Sequence, residues 1–424
     1  MTGRSAVITG MGLITPLGSG VEENWRKLKA GRTGIGHYPE ERLPVAYQYA
    51  GKVGPFEFPP VAPGLSAQVK FLNRGSTLGF VAASQAMAQS GLSFKDVPPG
   101  RRALYIGSGD YTRRGHEFMH AALAAGAEGG RIDFEKLNAA MLTEVNPFFL
   151  LESIANNLFS FLSAAFEFRG PNTSVGTLSP HGAQALELAS RSVQQGRADV
   201  ALAVGCGNWI TEIPLYELEG LGLLSQCRSG AESFRPFDKS RDGFITGEGG
   251  AALLLEAEGS VERRGGAVLG RISATGNCIE LAPNLGVPPK VAVRSVRETL
   301  KAAGRRVGDL GFICAHGSAT RKGDGSELRS LLEIVQEDGA SLPVCGLKPY
   351  TGHMGAASDL AEIILSIKAV EDSLVPGTLN FKEADREFSS LKISGEPQLC
   401  ANGSFLSFSY GIGGQTSSII VSLD

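Results

Sequence analysis

Short apolar runs, punctuated by glycine and alternating with helical stripes, limit this chain to a narrow set of folds. SAVIT at 5–9, the run at 102–107, DVALAV at 199–204, the run at 251–255, GFICA at 311–315 and the runs at 404–409 and 417–423 all have strand length, and several lack a polar face. A strand with no polar face must be covered on both sides, as in a sheet packed between helices. Between these runs, Leu328, Leu331, Leu332 and Val335 recur at i, i+3, i+4 and i+7 within 325–336, and Leu360, Ile363, Ile364 and Ile367 do so within 358–370. Both stretches predict core-facing helices. The many glycines, 56 in all, supply the tight strand-helix joints of an α/β protein.

With 424 residues, 42% of them hydrophobic and 20% charged, the chain can bury a large core. The net charge of -3 comes without a long block of like charge, which argues against nucleic acid or a membrane surface as partner and points to small molecules or proteins. The opening MTGRSAVITGMGLITPLG reads as a strand entering a loop rather than a signal peptide. The most lipid-like segment, 148–168, is broken by Glu152, Asn156 and Asn157 and falls short of the ~18 apolar residues of a membrane span. A soluble, cytoplasmic protein is expected. Cys206, Cys227, Cys278, Cys314, Cys345 and Cys400 form no CxxC pair, so reduced thiols are expected, with no disulfide and no structural zinc. The polar, glycine-rich AEGSVERRGGA at 257–267 separates two stretches that each carry strands and helices, which divides the chain into halves 1–258 and 259–424. VGCGN at 204–208 and SYGIGGQ at 409–415 look like strand ends in the respective halves, compatible with a duplicated architecture.

Five segments hold residues suited to chemistry. In 170–205, Ser179 precedes Pro180 at a sharp turn before a helix; by spacing alone this is an N-cap with proline at N1 before it is a nucleophile. In 314–328, a buried strand delivers His316 into a Gly/Ser/Thr turn, where a histidine is often only a hydrogen-bonded core residue. In 346–367, Lys348 and His353 precede a helix that carries Glu362, and the plain alternative is a surface loop with a helix start. The charges of 234–256 could form a solvated salt-bridge web, and the glycines of 408–423 either admit a ligand or make a tight hairpin.

In order and separation these segments, together with ITGMGLITPLGSGVEENWRKLKAG, resemble the signature blocks of the elongating β-ketoacyl-acyl carrier protein synthases across essentially the whole chain. The resemblance implies a thiolase-like, five-layered αβαβα fold built from two related halves. It implies an acyl carrier protein as partner and an obligatory dimer, either a homodimer or a heterodimer with another ketosynthase-family chain. No resident cofactor is implied, because acyl groups arrive on the phosphopantetheine of the carrier. Ser179 falls at the place of the acyl-accepting cysteine, and His316 and His353 at those of the paired histidines. Lys348 matches the lysine that organises them and Glu362 its acidic partner, while Asp324 and Thr320 match polar residues after the first histidine. Ser318 stands where threonine is usual, and Ile412, after Gly411, where a phenylalanine gates the acyl pocket. The backbone N–H groups of Ser179 and Ile412 would form the oxyanion hole.

Serine changes the expected chemistry. A cysteine at a helix N-terminus can drop from a pKa of about 8.5 to roughly 3.5–7.5, whereas a helix terminus offers a far less acidic hydroxyl only about 0.3–2 kcal/mol. Ser179 would need a general base, with His353 and His181 as candidates. Three functions follow: a condensing enzyme that tolerates serine, or whose cysteine was altered to it; a malonyl-carrier-protein decarboxylase or acyl transferase that stops before carbon-carbon bond formation; or a non-elongating, chain-length-factor-like subunit. Leu178, Pro180, His181 and Ile412 also depart from the family's pattern, which favours a native specialisation over a single swap.

Overall fold

A computed structural model describes residues 4–40, 44–108, 121–122, 125–126, 131–148, 151, 154, 156–176, 180–282 and 286–423. The strands that organise it are β1 (Ala6–Thr15), β2 (Arg102–Ser108), β3 (Asn172–Val175), β4 (Val200–Asn208), β5 (Glu248–Ala257), β6 (Gly270–Ile279), β7 (Phe312–Cys314), β8 (Pro343–Cys345), β9 (Lys392–Ile393), β10 (Ser404–Tyr410) and β11 (Gln415–Ser422). Every apolar run read as a strand overlaps one of these and extends past it by a residue at most at either end, and β1 is longer than its SAVIT run because both of its faces stay buried for ten residues.

The strands repeat one pattern. The first set runs β3-β2-β4-β5-β1 and the second β8-β7-β10-β11-β6, with β9 added outside β8. In each set the first three strands are parallel and the last two join antiparallel. The sets meet where β1 pairs antiparallel with β6, through Val7 opposite Arg271 and Ile8 opposite Gly270. The same strand order and the same sense in both sets make the duplication plain.

The principal helices are α1 (Arg74–Ser90), α2 (His181–Gln194), α3 (Val293–Ala303), α4 (Arg321–Glu337) and α5 (Ala356–Glu371). Helices α2 and α5 pack on each other between the two strand sets, α1 covers the outer face of the first set, and α3 and α4 cover the second. The result is five layers, α/β/α/β/α. Alternation along β4 shows why the strands read as apolar throughout: Ala201 and Ala203 face the middle layer, and Leu202, Val204 and Cys206 face the outer one. All six cysteines are free and buried. No helix among the described residues is long and apolar enough to cross a membrane.

Within the boundary segment 257–267, Glu258–Arg264 is a helix, closed by Gly265 at φ 64°. We propose the division at 258/259, between the end of β5 and the start of β6. Of the charges in 234–256, Asp238, Arg241, Glu248 and Glu256 are buried rather than part of a solvated web, whereas Lys239 and Asp242 are exposed. Arg74 pairs with Glu248, Arg264 with Glu256 and Arg241 with Asp385, so burial is offset by specific partners.

Glycines bring α5 close to the first half. A Cβ on Gly182 would stand 2.1 Å from the Ala356 carbonyl oxygen, and one on Gly205 2.4 Å from the same atom. Since neither backbone can yield without moving a helix, Gly182→Ala should cost about 1–3 kcal/mol, read as a lower urea midpoint. An unchanged midpoint would show that α2 and α5 are not in register as described.

Candidate active site

The site is assembled where α2, α4 and α5 begin. Chain leaving β7 turns through Gly317 and Ala319, both at φ 57°, before Thr320 caps α4 by accepting the Gly323 N–H at 3.1 Å. Ala319 is a non-glycine residue in left-handed backbone, held there by its buried surroundings. Glu327, in the second turn of α4, reaches back and accepts the N–H groups of His316 (2.6 Å) and Gly317 (3.0 Å). This carboxylate clamps the backbone that carries the first histidine, and burial together with Asp324 pushes its pKa up to about 8.

The stretch before α5 is not a surface loop: Lys348 is 1% exposed and His353 7%. His353 is tied to the neighbouring chain through its own N–H to the Ile245 carbonyl (2.8 Å) and through the Gly247 N–H to its carbonyl (2.9 Å). Trp209 stacks on its ring at 4.6 Å, and Phe244 packs at 4.8 Å.

The histidine rings lie 5.4 Å apart, centroid to centroid, at 67°. Lys348 Nζ stands behind His316, 3.2 Å from Nδ1, and also donates to the His316 carbonyl (2.6 Å) and to Glu362 Oε1 (2.8 Å). His353 Nδ1 accepts the Gly355 N–H at 3.2 Å. Each Nδ1 therefore faces a donor, which assigns the ring proton to Nε2 in both. Burial holds both histidines well below the usual imidazole pKa, with Lys348 adding to it in each case. The pair is neutral at pH 7 and presents two Nε2–H donors.

A cavity of about 70 Å³ opens on this pair. His316, His353, Ser318, Thr320, Gly411 and Ile412 all line it, so the structure unites these sequence-predicted residues. Asp324 and Glu362 stand behind that lining. Asp324 accepts the Phe237 N–H (2.7 Å) and the Ser318 hydroxyl (3.2 Å), lies 3.7 Å from Arg241, and is pushed by burial up to about 6. Burial likewise pushes Glu362 up to about 7, against the pull of Lys348.

Ser179 lies outside the described residues; Pro180, which follows it, lines the cavity. The expected helix start is corrected. Pro180 occupies the N-cap of α2 rather than N1, and the cap comes from elsewhere: the N–H groups of Gly182 (3.0 Å) and Ala183 (3.3 Å) bond to Asp359 Oδ2 on α5. His181 is buried, which lowers its pKa to about 4.

Sequence reasoning missed Glu327, Asp359, Trp209, Phe244 and Tyr410. Glu327 and Asp359 were within reach of it, since each lies three residues from an acid already noted, Asp324 and Glu362, on the same helix face. The aromatic residues carried no such signal.

Residues 4–259 match the family described as "Beta-ketoacyl synthase, N-terminal domain", and residues 284–382 match "Beta-ketoacyl synthase, C-terminal domain". The chain belongs to the β-ketoacyl synthase family. It is similar to 3-oxoacyl-[acyl-carrier-protein] synthase 2 of Coxiella burnetii, with 27% identity covering 100% of this chain and 99% of the relative. It is also similar to the tetracenomycin polyketide synthase ketoacyl synthase alpha subunit of Streptomyces glaucescens, with 29% identity over 91% and 89% of the two chains. Among solved structures, a β-ketoacyl synthase from Burkholderia phymatum superposes with a TM-score of 0.84 at 24% identity, covering 99% of both chains. The ketosynthase of AntDE:AntF, a type II polyketide complex of an acyl carrier protein with its ketosynthase bound to the hexaketide, does so at 0.83 and 23%, again over 99% of both. At these identities the structures establish the thiolase-like fold.

Proposed function

We propose that the chain acts on acyl- and malonyl-acyl carrier protein in fatty acid or polyketide biosynthesis, and that its histidine pair performs the decarboxylation half of a Claisen condensation. The observation that carries this is the occupation of both Nδ1 atoms, by Lys348 and by the Gly355 N–H, which leaves two neutral Nε2–H donors on one cavity. As carbon dioxide leaves a malonyl thioester, negative charge gathers on the thioester oxygen. Two fixed donors stabilise that charge without reorganising.

The same tautomers bear on Ser179. A general base for its hydroxyl needs an unprotonated nitrogen on the cavity; neither His316 nor His353 offers Nε2 in that form, and His181 is buried and absent from the cavity lining. Acylation at position 179, with the oxyanion held by the N–H groups of Ser179 and Ile412, is therefore the weak step, and condensation is slow. Acyl groups reach the cavity on the phosphopantetheine of a cytoplasmic carrier protein, with no resident cofactor. The working unit is a dimer, with a second copy or with another ketosynthase-family chain; the ishigamide ketosynthase/chain length factor, 23% identical, is a relative so named.

Intact-mass measurement after exposure to acyl-carrier protein tests this. Ser179→Cys should be acylated at least about 100-fold faster than the parent and should gain condensation activity. Equal acylation of the two proteins would contradict the weak-serine account.

A further inference from the structure

Decarboxylation leaves an enolate that must be consumed, and with a poor acyl acceptor at position 179 condensation consumes it slowly. Its other fate is protonation, and the cavity holds a group placed for that. Tyr410 closes β10, and its ring lies 4.4 Å from that of His316 at 51°. It lines the cavity, and its hydroxyl is 3.1 Å from Ser318 Oγ. Ser318 Oγ is in turn 2.9 Å from Thr320 Oγ1 and 3.2 Å from Asp324 Oδ1. Thr320 is only half-buried and also lines the cavity, so a line of hydroxyls runs from the ring beside His316 toward solvent.

A phenylalanine would pack against His316 equally well. A buried phenol oxygen costs stability unless it is bonded, and here its bond is to a hydroxyl that can pass a proton. Burial, with the carboxyl groups of Glu327 and Asp324 nearby, keeps the phenol protonated well above its usual range.

We propose that Tyr410 donates the proton that quenches the enolate, so that the site turns malonyl-carrier protein into acetyl-carrier protein. The inference rests on the decarboxylation proposed above. The bond between the α-carbon and the carboxylate breaks, carbon dioxide departs, and the electron pair stays as the enolate held by His316 and His353. The α-carbon takes the Tyr410 proton to become a methyl group. The phenolate draws the Ser318 proton away from Asp324, to which it is otherwise donated, Ser318 is resupplied by Thr320, and Thr320 by water, so one solvent proton is consumed per carbon dioxide released.

The test incubates the full-length protein with malonyl-carrier protein under isotopically labelled carbon dioxide. An enolate that waits for its proton can recapture labelled carbon dioxide, so the readout is label exchanged into malonyl-carrier protein per acetyl-carrier protein formed. Tyr410→Phe should raise that ratio by at least about tenfold, and Ser318→Ala, which cuts the relay one step further out, should raise it in the same direction. A merely structural role would slow both reactions together and leave the ratio unmoved. An unchanged ratio in both variants, with His316-dependent carbon dioxide release intact in the parent, overturns the inference alone. No such release from the parent overturns the decarboxylation reading and this inference with it.

Discussion

His316→Ala should cut carbon dioxide release from malonyl-carrier protein by about 100- to 1,000-fold, the usual cost of removing one oxyanion donor. Among the described residues its Nε2–H is one of two imidazole donors on the cavity, and its position is over-determined. Glu327 holds its N–H, Lys348 holds its carbonyl and Nδ1, and Tyr410 packs on its ring. Truncation removes a donor that Lys348 does not replace, because Lys348 is committed to Glu362 and stands behind the ring. The measurement is the initial rate of carbon dioxide evolution, with circular dichroism and urea unfolding to confirm that the variant is folded. A rate within a few-fold of the parent would remove His316 from the chemistry.

Lys348→Met should destabilise the protein by about 3–5 kcal/mol, the range for removing one partner of a buried ion pair. Side chains of Lys348 and Glu362 are 0% and 3% exposed, and the substitution strands the Glu362 carboxyl without its cation. The pH dependence follows from the direction of its shift. Burial already raises Glu362 to about 7, so the folded carboxyl keeps a proton that the unfolded one loses near pH 4. A raised carboxyl contributes stability that is full at low pH and is lost as pH rises through the folded value. Without Lys348 the carboxyl moves higher still, and the penalty should be larger at pH 8 than at pH 5. Urea midpoints at the two pH values measure this. Lys348→Met combined with Glu362→Leu should recover part of the loss, because the stranded charge is gone. A penalty that is the same at both pH values, or no recovery in the double variant, would contradict the pairing.

The strands and the α4 and α5 stripes were legible because burial on both faces leaves an unbroken apolar signature, as at 200–204 within β4. The joining of His316, Lys348, His353 and Glu362 was legible only through the family resemblance, because nothing in their spacing requires β7, β8 and α5 to converge. What could not be read was tertiary capping. Ser179-Pro180 carries a strong local helix-start signal, yet the orphan amides of α2 are satisfied by Asp359, which lies 177 residues from Gly182. The burial of Asp238, Arg241, Glu248 and Glu256 was illegible for the same reason, since partners that make it tolerable, such as Asp385 for Arg241, come from distant segments. Composition shows that a residue is polar; only the fold shows whether it has a partner.

The central claim is that two neutral imidazoles present Nε2–H to one cavity. Nitrogen chemical shifts of protein labelled at its 6 histidines report charge and tautomer directly. His316 and His353, assigned by substitution, should both remain neutral Nε2–H tautomers from about pH 6 to 8, because burial and Lys348 lower their pKa values from the usual 6.5. An imidazolium signal from either ring near pH 6, or a proton on Nδ1, would contradict the account.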